Sequence, residues 1–225
     1  MKSPASDVMF PPRPTALAHQ ILGGMLGEGD WVVDATAGNG HDTQFLAECV
    51  GETGRVFALD IQAAAIAAAR TRVGGAANVE FFQKSHAFME ENVPQASITA
   101  VMFNLGYLPG EDHEITTDAA GTLAALDAAA RLLKQPGGIL SIICYPGHPA
   151  GKLEAEAVEM WLADRAETGW RIAKYAAIHT RRAAPFLLVA RRHLDCVQPA
   201  AALGPRSLLR PARVGESCRR DANTP

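Results

Sequence analysis

Residues 31–43 read Trp-Val-Val-Asp-Ala-Thr-Ala-Gly-Asn-Gly-His-Asp-Thr, an apolar run, an aspartate and a small-residue turn leading into a helix-like segment. Strand, turn and helix in that order make a ligand loop, in which Gly38 and Gly40 let the backbone approach a ligand closely. Asp60 ends the next apolar run, 22 residues after Gly38, where a carboxylate can accept both hydroxyls of a ribose. Asp34 closes the first run, placed either to orient the loop or to meet a ligand ammonium. These residues fit adenosine-cofactor binding, and charge narrows the choice. The loop lacks the third glycine of a G-x-G-x-x-G dinucleotide turn. Asp34 and Asp42 would repel a pyrophosphate but suit the sulfonium and amino groups of S-adenosylmethionine (SAM). SAM is therefore the expected cofactor, ahead of a nicotinamide dinucleotide.

A second constellation is Asn104-Leu-Gly-Tyr107-Leu-Pro-Gly110. A small polar residue followed three positions later by an aromatic resembles the Asn-Pro-Pro-Tyr element of SAM-dependent amino methyltransferases. A nitrogen that receives a methyl group must present its lone pair. The Asn side-chain oxygen and the next backbone carbonyl can accept its hydrogens and aim that pair. Tyr107 can stack on a flat base. Three histidines, His86, His113 and His148, fall after predicted strands three, four and five. That placement points to substrate or proton handling for at least one of them. Tyr145 shares the rim with His148.

These groups need a scaffold that brings strand ends together. Helical spacing predicts a first helix over 15–26, and apolar runs predict strands over 31–35, 55–59, 79–83, 98–103 and 139–144. Helices are predicted over 43–50, 62–73, 116–133 (capped by Thr116 or Thr117) and 152–167. Residues 170–178 and 186–191 read as a final antiparallel pair. Alternation of strand and helix predicts a Rossmann-like α/β fold. It would be a seven-stranded, mostly parallel sheet with helices on both faces and an antiparallel edge hairpin. Ligands of such sheets bind at the carboxyl ends of the strands, where strand order reverses.

The 225-residue chain is 48% hydrophobic, enough for one sizeable core. The expected organisation is an extension over 1–14, one domain over 15–195 and a disordered basic tail over 196–225. The absence of a long apolar run or a signal-type segment predicts no membrane span and a cytoplasmic location. Cys49, Cys144, Cys196 and Cys218 fit no zinc spacing and read as buried thiols plus a tail thiol. No metal is expected. Net charge is −3, but residues 197–225 carry +3, which leaves −6 on the rest. Bulk charge thus argues against nucleic-acid binding, and any RNA contact must be local. Arg181, Arg182, Arg191 and Arg192 are the local basic candidates, alongside weak attraction from the tail arginines.

Asp34-Ala-Thr-Ala-Gly-Asn-Gly-His-Asp-Thr43, Asn104-Leu-Gly-Tyr-Leu-Pro-Gly110, Gly147-His-Pro-Ala-Gly-Lys152 and Pro185-Phe-Leu-Leu188 together resemble, in order, the rRNA methylase family of class I methyltransferases. The resemblance covers roughly residues 15–192. It implies methylation of the aminomethyl group of 5-aminomethyl-2-thiouridine at the tRNA wobble position, with tRNA as a transient partner and a homodimer as the assembly. It implies SAM contacts from Asn39, His41, Asp42, Asp60 and Gln62, to which Asp34, Gly38, Gly40 and His86 are added as cofactor-site candidates. Asn104, Tyr107 and His148 are the catalytic candidates. The chain departs from the family at Ala87, where many relatives are acidic, and at Ala183-Ala184-Pro185, where Asn-Pro-Pro is usual. The expected reaction is direct in-line transfer to a deprotonated amine, with Asp42 or a rim histidine as the proton acceptor. The residues alone leave four other readings open: an rRNA base, a small-molecule amine, a non-catalytic SAM- or RNA-binding scaffold, or a nicotinamide oxidoreductase.

Overall fold

The computed structural model describes residues 11–106 and 119–192. The elements run α1 (Pro14–Gly23), β1 (Trp31–Asp34), α2 (His41–Val50), β2 (Arg55–Asp60), α3 (Ala63–Val73) and β3 (Val79–Gln83). A 3-10 helix (His86–Glu91) follows. Then come β4 (Ala100–Asn104), α4 (Ala119–Leu132), β5 (Ile139–Cys144), α5 (Pro149–Ala166), β6 (Trp170–Ala176) and β7 (Phe186–Arg192). All seven strands join one sheet in the order β3-β2-β1-β4-β5-β7-β6. The first five in that order are parallel, while β7 runs antiparallel to both β5 and β6. The order reverses between β1 and β4, and the loops after those two strands flank that point.

Strand residues alternate between the two faces, and both faces are covered, so the strands read as continuous apolar runs. On one face Val33, Phe57, Val101, Phe103, Leu140 and Ile142 pack with Leu126 and Leu132 of α4 and Val158, Trp161 and Leu162 of α5. On the other, Val32, Val56, Ala100, Met102 and Ile143 pack with Leu22 of α1 and Leu46 and Val50 of α2. Each such large side chain, fully removed from water, contributes about 1.5–3 kcal/mol. Cys144 is buried in this core, which pushes its thiol up to about 12, while Cys49 is half-buried. Among the described residues, no helix is long and apolar enough to cross a membrane.

The element boundaries differ from expectation for local reasons. Helix α1 ends at Gly23, with Gly24 as its cap, three residues early. Helix α2 starts at His41 because Gly40 takes the left-handed turn (φ 78°), and α5 starts at Pro149, whose ring is preset for the first helical turn. Strand β4 begins at Ala100. Ile98 is drawn instead to the chain leaving α4: its N–H donates to the Leu132 carbonyl, and its own carbonyl accepts from Lys134 N–H. Strand β6 stops at Ala176, where its pairing with Phe186 ends. The 3-10 helix was not expected; Ser85 starts it by accepting the Ala87 N–H. Tyr107, His113, the Thr116 or Thr117 cap and the tail after Arg192 lie outside the described residues.

Candidate active site

The turn after β1 is tied to the end of β2 by one carboxylate. Asp60 Oδ2 accepts from Gly38 N–H and Asp60 Oδ1 from Gln62 N–H, each at 2.9 Å, while Ala37 N–H reaches the Leu59 carbonyl at 2.8 Å. Gly38 adopts φ 49°, in the left-handed region that favours glycine. Gly40 also answers a packing demand. A Cβ there would sit 2.6 Å from the Ala69 Cα, so its bareness lets the turn rest on α3. Asn39 and His41 stand exposed on the outer side of the turn, and the Asn39 carbonyl accepts from Arg72 Nε at 2.7 Å.

Asp34 is fully buried and faces inward. It accepts from the Thr43 hydroxyl at 2.5 Å and from Thr36 N–H at 3.1 Å, which fastens the loop to the first turn of α2. Of its two expected uses, the geometry shows the loop-orienting one. Burial pushes its carboxyl up to about 7, and the charges of Asp42 and Asp60 add to the rise against the Thr43 and Thr36 hydrogen bonds. The fold thus holds a proton on Asp34 at pH values where the unfolded chain has lost it. Stability falls as pH climbs from the ordinary carboxylate range to about 7 and is level above it. Asp34→Asn removes this slope. Unfolding free energies from urea titrations at pH 5 and pH 8 should separate less in the variant than in the parent, by about 2–4 kcal/mol. Equal separations would refute the raised carboxyl.

Beside Asp34 lies a three-residue chain of contacts. Asp42, at the start of α2, is 5% exposed. Its Oδ1 meets His19 Nε2 at 2.7 Å, and its Oδ2 meets Asn104 Nδ2 at 3.1 Å. His19 stacks on Phe45 with ring centroids 3.9 Å apart and planes within 5°. Asn104 is held at the end of β4 by its own N–H, which donates to Thr36 Oγ1 at 2.8 Å. Tyr145, after β5, closes the other side: its ring would meet a Cβ at Gly106 at 3.5 Å, and its hydroxyl bonds Thr15 of α1. Burial raises the Tyr145 phenol, opposed by that Thr15 hydrogen bond and helped by the Asp42 charge. Helix α1 therefore reaches the site twice, through Thr15 and His19. Sequence reasoning missed both, because nothing in 15–26 but helical periodicity stands out.

The other candidates are distributed around the same rim. His86 is half-buried after β3, with Nδ1 3.3 Å from the Ala35 carbonyl and its ring edge-on to Phe103. His148 caps α5, with Nδ1 accepting from Gly151 N–H at 3.1 Å. This explains the Gly-His-Pro-Ala-Gly spacing: a Cβ at Gly151 would collide with the Tyr145 carbonyl and the His148 ring. Gln62 stands at the N-cap of α3.

The basic candidates divide. Because β7 runs backwards, Phe186 pairs with Cys144 at the carboxyl rim and Arg191 pairs with Ile139 at the opposite edge. Five residues of strand, about 16 Å, separate the two ends. Arg181 and Arg182, exposed in the turn between β6 and β7, lie at the rim, whereas Arg191 and Arg192 do not. A Cβ at Gly147 would lie 3.7 Å from the Ala183 carbonyl, so this turn abuts the loop that carries Tyr145.

SAM fits these groups. Each Asp60 oxygen takes one backbone N–H and keeps a further lone pair, and the carboxylate is only half-buried. The neighbouring Asp42 and Asp60 side chains favour a cation. The sheet order, the glycine turn and the acidic residue at the end of β2 define a class I methyltransferase with SAM as methyl donor. Residues 56–191 match the family described as "Putative rRNA methylase", and the chain belongs to that family. It is 39% identical over 186 residues to an Arabidopsis thaliana protein named tRNA (mnm(5)s(2)U34)-methyltransferase, chloroplastic, covering 77% of this chain and 67% of that one. Among solved structures, a "putative rRNA-methylase" from Clostridium thermocellum shares 35% identity at a TM-score of 0.78, over 82% of this chain and 100% of that one. A "putative methyltransferase" from Streptococcus mutans, in complex with SAH, shares 29% at 0.72, over 80% and 98%.

Proposed function

We propose that the chain methylates the primary amine of 5-aminomethyl-2-thiouridine at the wobble position of tRNA, giving the methylaminomethyl form. The observation that carries this is Asn104. A carboxylate only accepts, so the contact with Asp42 fixes Nδ2 inward and turns the amide oxygen toward the rim, as an acceptor for an amine N–H. The name of the Arabidopsis relative supplies the nucleoside.

SAM, when bound, supplies a methyl group on a cationic sulfur. Asp60 binds its ribose hydroxyls, and Gly38, Asn39, His41 and Gln62 line the cofactor loop. Gly40 and Asp34 hold that loop in shape, and His86 closes its β3 side. Asn104 aims the amine lone pair, Tyr107 stacks on the base, and His148 fixes the loop that presents Tyr145. An amine that arrives protonated gives up one proton before attack and another on becoming the methylated product at neutral charge. Asp42 is the carboxylate nearest to Asn104 and is placed to favour that loss.

The RNA surface we assign is the turn between β6 and β7. From Ala177 to Pro185 it holds Arg181 and Arg182 without an acidic residue and exposes Ile178, with Tyr175 exposed near the end of β6. A homodimer would present two such turns to RNA. Replacing Arg181 and Arg182 together by Gln should raise KM for tRNA about 5–30-fold at fixed salt, with SAM affinity retained. An unchanged KM would remove this surface.

The reading itself is tested by nucleoside mass spectrometry of tRNA from a strain lacking the protein. The methylaminomethyl nucleoside should vanish and the aminomethyl precursor accumulate, with purified protein and SAM restoring the product. Labelled methyl entering rRNA or metabolites but not tRNA would overturn it.

A further inference from the structure

We infer that His19 is a positioning residue for methyl transfer, acting through Asp42 on the side-chain amide of Asn104. This rests on the reading of Asn104 as the residue that aims the target amine.

Three observations converge on it. The His19 ring is clamped, lying flat on Phe45 at 3.9 Å. Its Nε2 faces a carboxylate oxygen at 2.7 Å, and since a carboxylate accepts, the ring donates. The second oxygen of that same carboxylate takes Asn104 Nδ2 at 3.1 Å.

An aspartate has two torsions, and α2 fixes neither of the last two contacts by itself. With His19 holding Oδ1, Oδ2 can point only at β4. The Asn104 backbone is held from behind by its N–H on Thr36, so the side-chain amide starts from a fixed point and takes its orientation from the Asp42 contact. The Asp42 contact removes the flip of that amide by accepting from nitrogen, which commits oxygen to the outer side.

The helix that carries His19 is itself pinned. Ala18 and Leu22 are buried against β5, β7 and α2, and Thr15, one turn before His19, bonds Tyr145. The groups facing His19 and Asp42 from the packed elements are Phe45 and Asp34 near α2, Asn104 from β4 and Tyr145 after β5. Of these groups, His19 and Asn104 each give a hydrogen bond to Asp42, one to each carboxylate oxygen. Without His19, Oδ1 would seek another donor, and Asn104 Nδ2 is the nearest competitor for both oxygens.

The test compares His19→Phe, which keeps a ring on Phe45 but loses the donor, with His19→Gln, which keeps a donor. His19→Phe should lower kcat roughly 10–100-fold with the SAM dissociation constant and KM for tRNA within about threefold of the parent. His19→Gln should recover most of that loss. Full turnover in His19→Phe, or equal impairment in both variants, would overturn the inference. If His19→Phe does not fold, His19→Leu against His19→Gln makes the same comparison.

A second readout needs no substrate. The side-chain amide resonances of Asn104, assigned by their loss in Asn104→Ala, should move in His19→Phe and stay near the parent position in His19→Gln; unmoved resonances in His19→Phe would overturn the inference even if tRNA is not the substrate. A parent protein inactive on tRNA but with the expected amide shifts would sink the substrate assignment alone.

Discussion

Asn104→Ala is expected to lower kcat roughly 10²–10³-fold while the SAM dissociation constant stays within a few-fold of the parent. The side chain lies at the end of β4, and its fixed contacts are to Asp42 and Thr36, neither of which needs the amide to keep its place. Asp42 keeps His19 as a partner, and Thr36 still receives the Asn104 backbone N–H, which alanine retains. Only the outward oxygen, the group that aims the amine, is lost with no substitute. Single-turnover rates at saturating tRNA, with isothermal titration of SAM alongside, measure both halves. Unchanged turnover would remove Asn104 from the reaction.

Asp60→Ala should produce the opposite pattern. Two hydrogen bonds that a carboxylate accepts from ribose hydroxyls are worth about 2–4 kcal/mol together, a weakening of SAM binding of roughly 30–1000-fold. The same substitution frees Gly38 N–H and Gln62 N–H, so the loop loosens as well as losing its ligand contact. Both amides lie near solvent, so water can replace the carboxylate and the fold should survive. At saturating SAM the rate should return largely to that of the parent. Titration calorimetry that finds SAM binding intact would refute the ribose assignment.

The frame of this molecule was legible because both faces of its sheet are covered. The central strands are then short apolar runs, and three of them end at Asp34, Asp60 or Asn104, whose polarity breaks the pattern at the rim. Boundaries were less visible. Ile98 looks like strand in the text but pairs with the chain leaving α4, a contact between residues far apart in sequence. The 3-10 helix at His86 has only a serine cap to announce it. Within the site, the loop and Asn104 carried recognisable spacing, whereas His19 did not. It is one polar residue on an amphipathic helix, 23 positions from Asp42, and only packing of α1 over β5 and α2 brings the two together. Gly40 was seen as special for ligand approach, and packing adds the contact with Ala69. Arg191 and Arg192 were separated from Arg181 and Arg182 by the direction of β7, which residue counting does not reveal.

The contact between Gly40 and Ala69 also gives meaning to the monotony of α3. Its run from Ala63 to Ala69, broken only by Ile66, looks like filler in the text. In the fold it works as a shim of fixed thickness. The height of the cofactor turn above the sheet is set by the bare Gly40 on one side of the joint and the single methyl of Ala69 on the other. A valine at position 69 would lift the turn and with it Asn39, the tether from Gly38 to Asp60 and the hollow they outline. Position 69 and position 40 must therefore vary together or not at all. An alteration to cofactor affinity can thus be made from a helix whose residue 69 is buried beneath the loop.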